Sequence, residues 1–241
     1  MSLTDPTWQE HFQSNKTIFE LTPGSDKVTP EVLEQSRQLT LGQMRLRPQF
    51  YTEEIVAKFE RSSKSANSMQ EATDEYIDLI TAHRKLSIPD VLCHGDLHIS
   101  NVFVKKDENG DERLSGIFDW QLCHAGGPVE DFGHFLSMSV DGPARRAHTM
   151  EVLRHYYDAL KEEMEEEPVP FTLDQVIENY KRIFKLGVIT WANGAPLVVL
   201  SDAPFEKAAS KERAKESLLK NAVGLWQELI ELEDQGNVPW N

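Results

Sequence analysis

Asp96, Asn101 and Asp119 are the side chains in this sequence best suited to joint chemistry. They stand in two short runs, His94-Gly95-Asp96-Leu97-His98-Ile99-Ser100-Asn101 and Phe118-Asp119-Trp120-Gln121. Phosphoryl transfer needs these types: a carboxylate to orient and accept the proton of the attacking hydroxyl, and an amide with a second carboxylate to hold magnesium on the phosphates. The five-residue step from Asp96 to Asn101 equals that of the protein-kinase catalytic loop.

These residues need strands to bring them together. The apolar run Val91–Cys93 ends at His94, a second run Val102–Val104 follows Asn101, and Asn109-Gly110 is a two-residue turn signal before Leu114–Phe118. The expectation is a small hairpin with Asp96, Asn101 and Asp119 at one end. Each motif alone reads equally well as turn chemistry, with His94 and Asp96 closing a loop and Asn101 or Asp119 ending a strand. Jointly they coincide by chance in roughly one chain in a thousand or fewer, which favours a phosphotransferase-like site.

On His94–Asn101, on Phe118-Asp119-Trp120-Gln121 and on Gly126-Gly127-Pro128-Val129-Glu130-Asp131-Phe132, the chain resembles the CHK kinase-like family, related to ecdysteroid kinases, choline kinases and aminoglycoside phosphotransferases. Arg145-Arg146-Ala147-His148, Tyr156-Tyr157, Pro170-Phe171-Thr172-Leu173 and Tyr180 look like its nematode branch. The resemblance spans roughly Ser87 to Leu232 and is most specific in the first three motifs. It implies a fold that is α+β, mainly α: a protein-kinase-like C-terminal lobe, a helical bundle with a small catalytic hairpin. It also implies Asp96 and His94 as catalytic residues, Asn101 and Asp119 as the cofactor and magnesium ligands, with His98 and Asp131 supporting them, and Mg2+ and ATP as cofactors.

Asp131-Phe132-Gly133 spells the kinase magnesium motif literally, yet its position argues against that role. Asp131 lies beyond the Gly126-Gly127-Pro128 break and opens an apolar helix, so it is expected to cap that helix and, as the family pattern implies, to hold the catalytic-loop backbone.

A length of 241 residues with 39% hydrophobic content allows a real core, in a single domain or in a small bipartite fold. The division expected is an N-terminal segment at 1–27 and a kinase-like lobe at 28–236. A formal charge of −15 disfavours nucleic acid and anionic membranes as partners. The start Met-Ser-Leu-Thr-Asp-Pro-Thr-Trp has neither a basic nor an apolar leader region, and no run reaches the length of a membrane span; a cytoplasmic location is expected. Cys93 and Cys123 are assigned no chemistry, because two thiols in a cytosolic chain are more often simply buried.

Reading in order, a short strand is expected at Thr17–Leu21, a turn at Pro23-Gly24, a helix capped by Thr29 with Pro30 at its first position and running toward Arg45, and a second helix from about Thr52 through Phe59. A Ser/Lys-rich link covers Ser62–Ser68. Met69, Ala72, Tyr76, Ile77 and Ile80 then form a helical core stripe up to Lys85. Helices are expected at about Val129–Val140, Ala144–Glu166, Thr172–Lys185 and Phe205–Asp234, while Trp191–Leu200 suits either a buried connection or part of a substrate wall.

A kinase of this architecture also uses an N-terminal lobe with a Gly-rich phosphate loop and a strand Lys. Before His94 the sequence has only Gly24 and Gly42 as glycines, and no Val-Ala-Ile-Lys-like strand surrounds its lysines. Two expectations follow: a small-molecule kinase acting on a hydroxyl of a sterol-, choline- or amino-alcohol-like metabolite, or a kinase-like binding or regulatory module without turnover.

Overall fold

A computed structural model describes residues 29–63, 69–165 and 167–241. The strand expected at Thr17–Leu21 and the turn at Pro23-Gly24 lie outside the described residues. Within them the protein is α+β and mainly helical.

Helix α1 (Pro30–Arg45) starts as the sequence predicts: the Thr29 hydroxyl accepts from the Val32 amide at 3.4 Å and Pro30 occupies the first turn. Helix α2 (Glu53–Ser63) opens on Thr52, whose hydroxyl accepts from Ile55. The single helix expected from Met69 to Lys85 is two, α3 (Met69–Ile80) and the one-turn α4 (Ala82–Lys85). At the junction the Thr81 hydroxyl donates back to the Ile77 carbonyl at 2.6 Å, a bond that competes with the helix ladder and bends it. Ile77, expected in the core stripe, is exposed, while Ile80 is buried.

Among the described residues four short strands form two separate antiparallel pairs: the hairpin expected over Val102–Asp119 and a second pair the sequence did not announce. β1 (Val91–Cys93) pairs with β4 (His124–Gly126), placing Cys93 opposite His124. β2 (Val102–Lys106) pairs with β3 (Glu112–Ile117), with a bulge between Phe103 and Val104. Asn109 and Gly110 are not the centre of a two-residue turn. The Gly110 amide donates to Asp107 and the Asp107 amide to Asp111, so the chain makes a longer loop in which Gly110, at φ +84°, supplies the left-handed residue.

Helix α5 (Glu130–Ser139), α6 (Gly142–Glu163), α7 (Leu173–Gly187) and α9 (Lys211–Glu233) build the core, with α8 (Ala195–Val198) between the last two. α7 is their hub. Val176, Tyr180, Ile183, Phe184 and Gly187 recur at helical spacing and are all buried, against α5, α6 and α9. The last helix begins at the Ser210 cap rather than at Phe205, which closes a separate 3-10 turn, Ala203–Phe205. Small residues let α5 and α7 approach closely: a side chain at Gly133 would run into Ile183, and one at Gly187 into Ser137.

Arg145, only one of a basic pair in the sequence, is fully buried and bonds Glu228 through Nε and Nη2 (2.9 and 2.7 Å) and the Val140 carbonyl through Nη1 (2.8 Å). Glu228, also fully buried, accepts from the Trp240 indole at 2.8 Å. A buried ion pair survives only when its remaining donors and acceptors are met in this way; here it locks α6 to α9 and to the end of α5. No helix among the described residues is long and apolar enough to cross a membrane.

Candidate active site

The loop from His94 to Asn101 leaves β1, makes a 3-10 turn at Ile99–Asn101 and enters β2. Its first peptides are held by Asp131, whose carboxylate accepts from the His94 amide at 2.7 Å and from the Gly95 amide at 3.0 Å. Asp131 does not cap its helix: it is the second residue of α5, which has no side-chain cap. Burial pushes its carboxyl above the ordinary range, and the two amides pull it back.

Gly95 has φ +82°, and a Cβ there would strike the Leu122 carbonyl oxygen, so the loop crosses the Trp120–Leu122 turn at a distance only glycine permits.

His94 is 2% exposed and both its ring nitrogens face backbone. Nδ1 lies 3.2 Å from the Asp96 amide, which donates to it, so Nε2 carries the proton given to the Phe118 carbonyl at 2.8 Å. Through this one imidazole, the peptide before Asp119 is tied to the peptide at Asp96. The Phe118 amide in turn donates to the Asn101 carbonyl at 3.1 Å. Asp119 follows directly, exposed and in the left-handed region at φ 66°, a conformation that Asp tolerates better than most residues and that clusters at functional sites.

Asn101 is buried, and its Nδ2 donates to the Asp96 carbonyl at 2.9 Å and faces the Asp96 carboxylate at 3.5 Å. His98 caps the 3-10 turn by accepting from the Ser100 amide, and its Nε2 stands 3.7 Å from Asp96 Oδ2. Asp96, Asn101 and the backbone at Asp119 therefore share one end of the β2–β3 pair.

The sequence reading missed His134. From the second turn of α5 its Nε2 lies 3.3 Å from Asp96 Oδ1, with Trp191 edge-on at 6.0 Å. Burial lowers its basicity, against the pull of Asp96. His134 stands three residues after Asp131, one helical turn along the same face, which is the signal that could have found it.

Beside Asp96 opens a cavity of about 230 Å³ walled by Tyr76, His124, Glu130, His134, Ile183, Leu186 and Trp191. In the stretch Trp191–Leu200, Ala192, Ala195 and Pro196 are buried, as a buried connection requires, while Trp191 lines the cavity.

Fold and site define a mainly helical α+β protein with an Asp-bearing loop, clamped by Asp131, at the edge of a small cavity. The chain belongs to the family described as "Uncharacterized oxidoreductase dhs-27", which matches residues 26–236 and so includes the whole site. It is similar to the uncharacterized oxidoreductase dhs-27 of Caenorhabditis elegans, 37% identical over 109 residues, which are 43% of this chain and 13% of that protein. It is also similar to an uncharacterized kinase-like protein of the same organism, 27% identical over 157 residues, 61% of this chain and 39% of the relative. The chain thus spans well under half the length of either. No solved structure matches it significantly.

Proposed function

We propose that this chain carries the catalytic lobe of a CHK kinase-like phosphotransferase that moves phosphate from ATP to a hydroxyl of a small metabolite. The observation that carries the reading is the clamp around Asp96: Asp131 fixes the two preceding amides, Asn101 fixes the Asp96 carbonyl, and the carboxylate is left at the cavity edge. Similarity to a kinase-like relative agrees with it, whereas "oxidoreductase" belongs to the relative and the family description, and the residues of this site are those of phosphoryl transfer.

In this reading Asp96 orients the acceptor hydroxyl and takes its proton. Asn101 spends Nδ2 on Asp96, which leaves Oδ1 for a cation; with the Asp119 carboxylate this makes an all-oxygen pair suited to magnesium. Magnesium, when bound, would neutralise charge on the transferring phosphate. His94, with both nitrogens on backbone, acts as a positioning residue rather than as a base, and His98 and Asp131 serve the same end. The proposed unit is the kinase-like lobe at 28–236, with the covering contacts to ATP supplied from elsewhere.

The test is a screen of choline, ethanolamine, sterol and sugar alcohols with magnesium-ATP, beside Asp96→Asn, alongside calorimetric titration of magnesium-ATP. Binding lost on removal of Asp119, and any turnover lost in Asp96→Asn, support the proposal. Robust turnover that survives Asp96→Asn sinks it. Binding without turnover in the parent favours the regulatory-module reading.

A further inference from the structure

We propose that Cys93, His124 and Glu130 form a transition-metal site, with zinc the expected ion, whose open position faces the cavity beside Asp96.

The three come from three elements that meet behind the catalytic loop. Cys93 ends β1, His124 stands directly opposite it on β4, and Glu130 begins α5. Residues directly opposite in an antiparallel pair present their side chains on one face. The sulfur, imidazole and carboxylate donor atoms all lie within 4.8 Å of one another.

Gly126 leaves the room. A Cβ built there would lie 2.5 Å from Glu130 Oε2, 2.9 Å from Cys93 Sγ and 3.0 Å from His124 Nε2, so three donors converge on a space that any other residue would fill. Glu130 is 8% exposed, and its Oε2 has no hydrogen-bond partner. A buried, unpartnered carboxylate oxygen is costly, and a cation removes that cost.

His124 is oriented as a ligand. Its Nδ1 lies 2.9 Å from the Leu122 carbonyl, to which it donates, so Nε2 is the atom turned toward Glu130 Oε1, 2.9 Å away. As it stands, a proton on Nε2, favoured by Glu130, makes this an imidazolium–carboxylate pair; a bound cation would displace that proton, and the Nδ1–H to carbonyl bond is the usual outer support of a metal-bound histidine. The Cys93 thiol now donates to the Gly127 carbonyl at 3.2 Å and would give up its proton on coordination. Thiolate and imidazole beside one carboxylate suit zinc rather than magnesium or calcium. His124 and Glu130 both line the cavity, which gives the ion a route in and leaves its fourth position open. Because Cys93 immediately precedes His94, a bound ion would tie β1, β4 and α5 together under the Asp96 loop.

The inference is independent of the phosphotransferase reading, and its test needs no turnover. Tag-free protein is stripped with a chelator, loaded with zinc and desalted, then analysed for metal; the same protein is titrated with cobalt(II). One equivalent of zinc is expected in the parent and in Cys123→Ser. Affinity should fall more than about 100-fold in Cys93→Ser and Glu130→Gln, beyond what loss of an outer-shell partner brings. Cobalt should give a thiolate charge-transfer band that depends on Cys93. Should Cys93→Ser fail to fold, the parent decides alone: cobalt binding without that band, or no retained zinc, overturns the site and leaves a His124–Glu130 ion pair beside a buried thiol.

Discussion

The Asp131 carboxylate and the His94 amide meet at 2.7 Å across two elements, and the same carboxylate takes the Gly95 amide at 3.0 Å. Asp131→Ala should therefore leave two part-buried amides without partners, at about 1–3 kcal/mol each, and loosen the loop that carries Asp96. Asp131→Asn should recover some of the loss. Thermal denaturation of both variants checks this; a melting temperature unchanged in Asp131→Ala would refute the clamp.

Asp119→Ala makes the opposite prediction. Its side chain is exposed, so the cost should be confined to placing Ala in the left-handed region, about 1 kcal/mol, while calorimetric magnesium binding should disappear. If instead Asp131→Ala removes magnesium and Asp119→Ala does not, the literal Asp-Phe-Gly is the metal motif.

Gly95→Ala combines a left-handed φ with a collision against the Leu122 carbonyl. The expected cost is at least about 1 kcal/mol from the backbone conformation alone, with the collision added. Gly110→Ala shares the positive φ but meets nothing within 4 Å, so it isolates the conformational contribution; chemical denaturation of the pair should show the Gly95 variant clearly the less stable.

Burial lowers the His134 imidazole below its ordinary 6.5. The unfolded chain then binds a proton that the folded one refuses, so His134 stabilises the fold fully above pH 6.5, and stability declines as pH falls from there toward the depressed folded value. In His134→Gln that share of the decline should vanish. Denaturation midpoints measured from about pH 7.5 down to pH 5.5 give the comparison; parallel curves for parent and variant would show His134 to titrate normally.

Arg145→Met should strand the buried Glu228 charge, costing about 3–5 kcal/mol. Adding Glu228→Gln removes the charge while keeping an acceptor for the Trp240 indole, and should restore much of the loss. A double variant as unstable as the single one would mean that the guanidinium's bonds to the Val140 carbonyl and its neighbours, rather than the ion pair, hold α6 in place.

The sequence alone determined the local features, because their causes are local. Thr29-Pro30 cap and start α1, the apolar period over Leu173–Gly187 writes the buried face of α7, and the step from Asp96 to Asn101 gives one loop the length needed to fold Asn101 back on Asp96. Only the tertiary structure decided what depends on partners distant in the chain. β1 pairs with a three-residue strand hidden in His124-Ala125-Gly126, too short for any alternation to show. Asp131 does not cap its helix, and the hold on the loop backbone that the resemblance implied is realised because the His94 and Gly95 amides come to it from another element. Arg145 finds Glu228, His134 finds Asp96, and Cys93 finds His124 through helix crossings and strand registers, and a side chain's charge or type carries no record of which distant group it will meet.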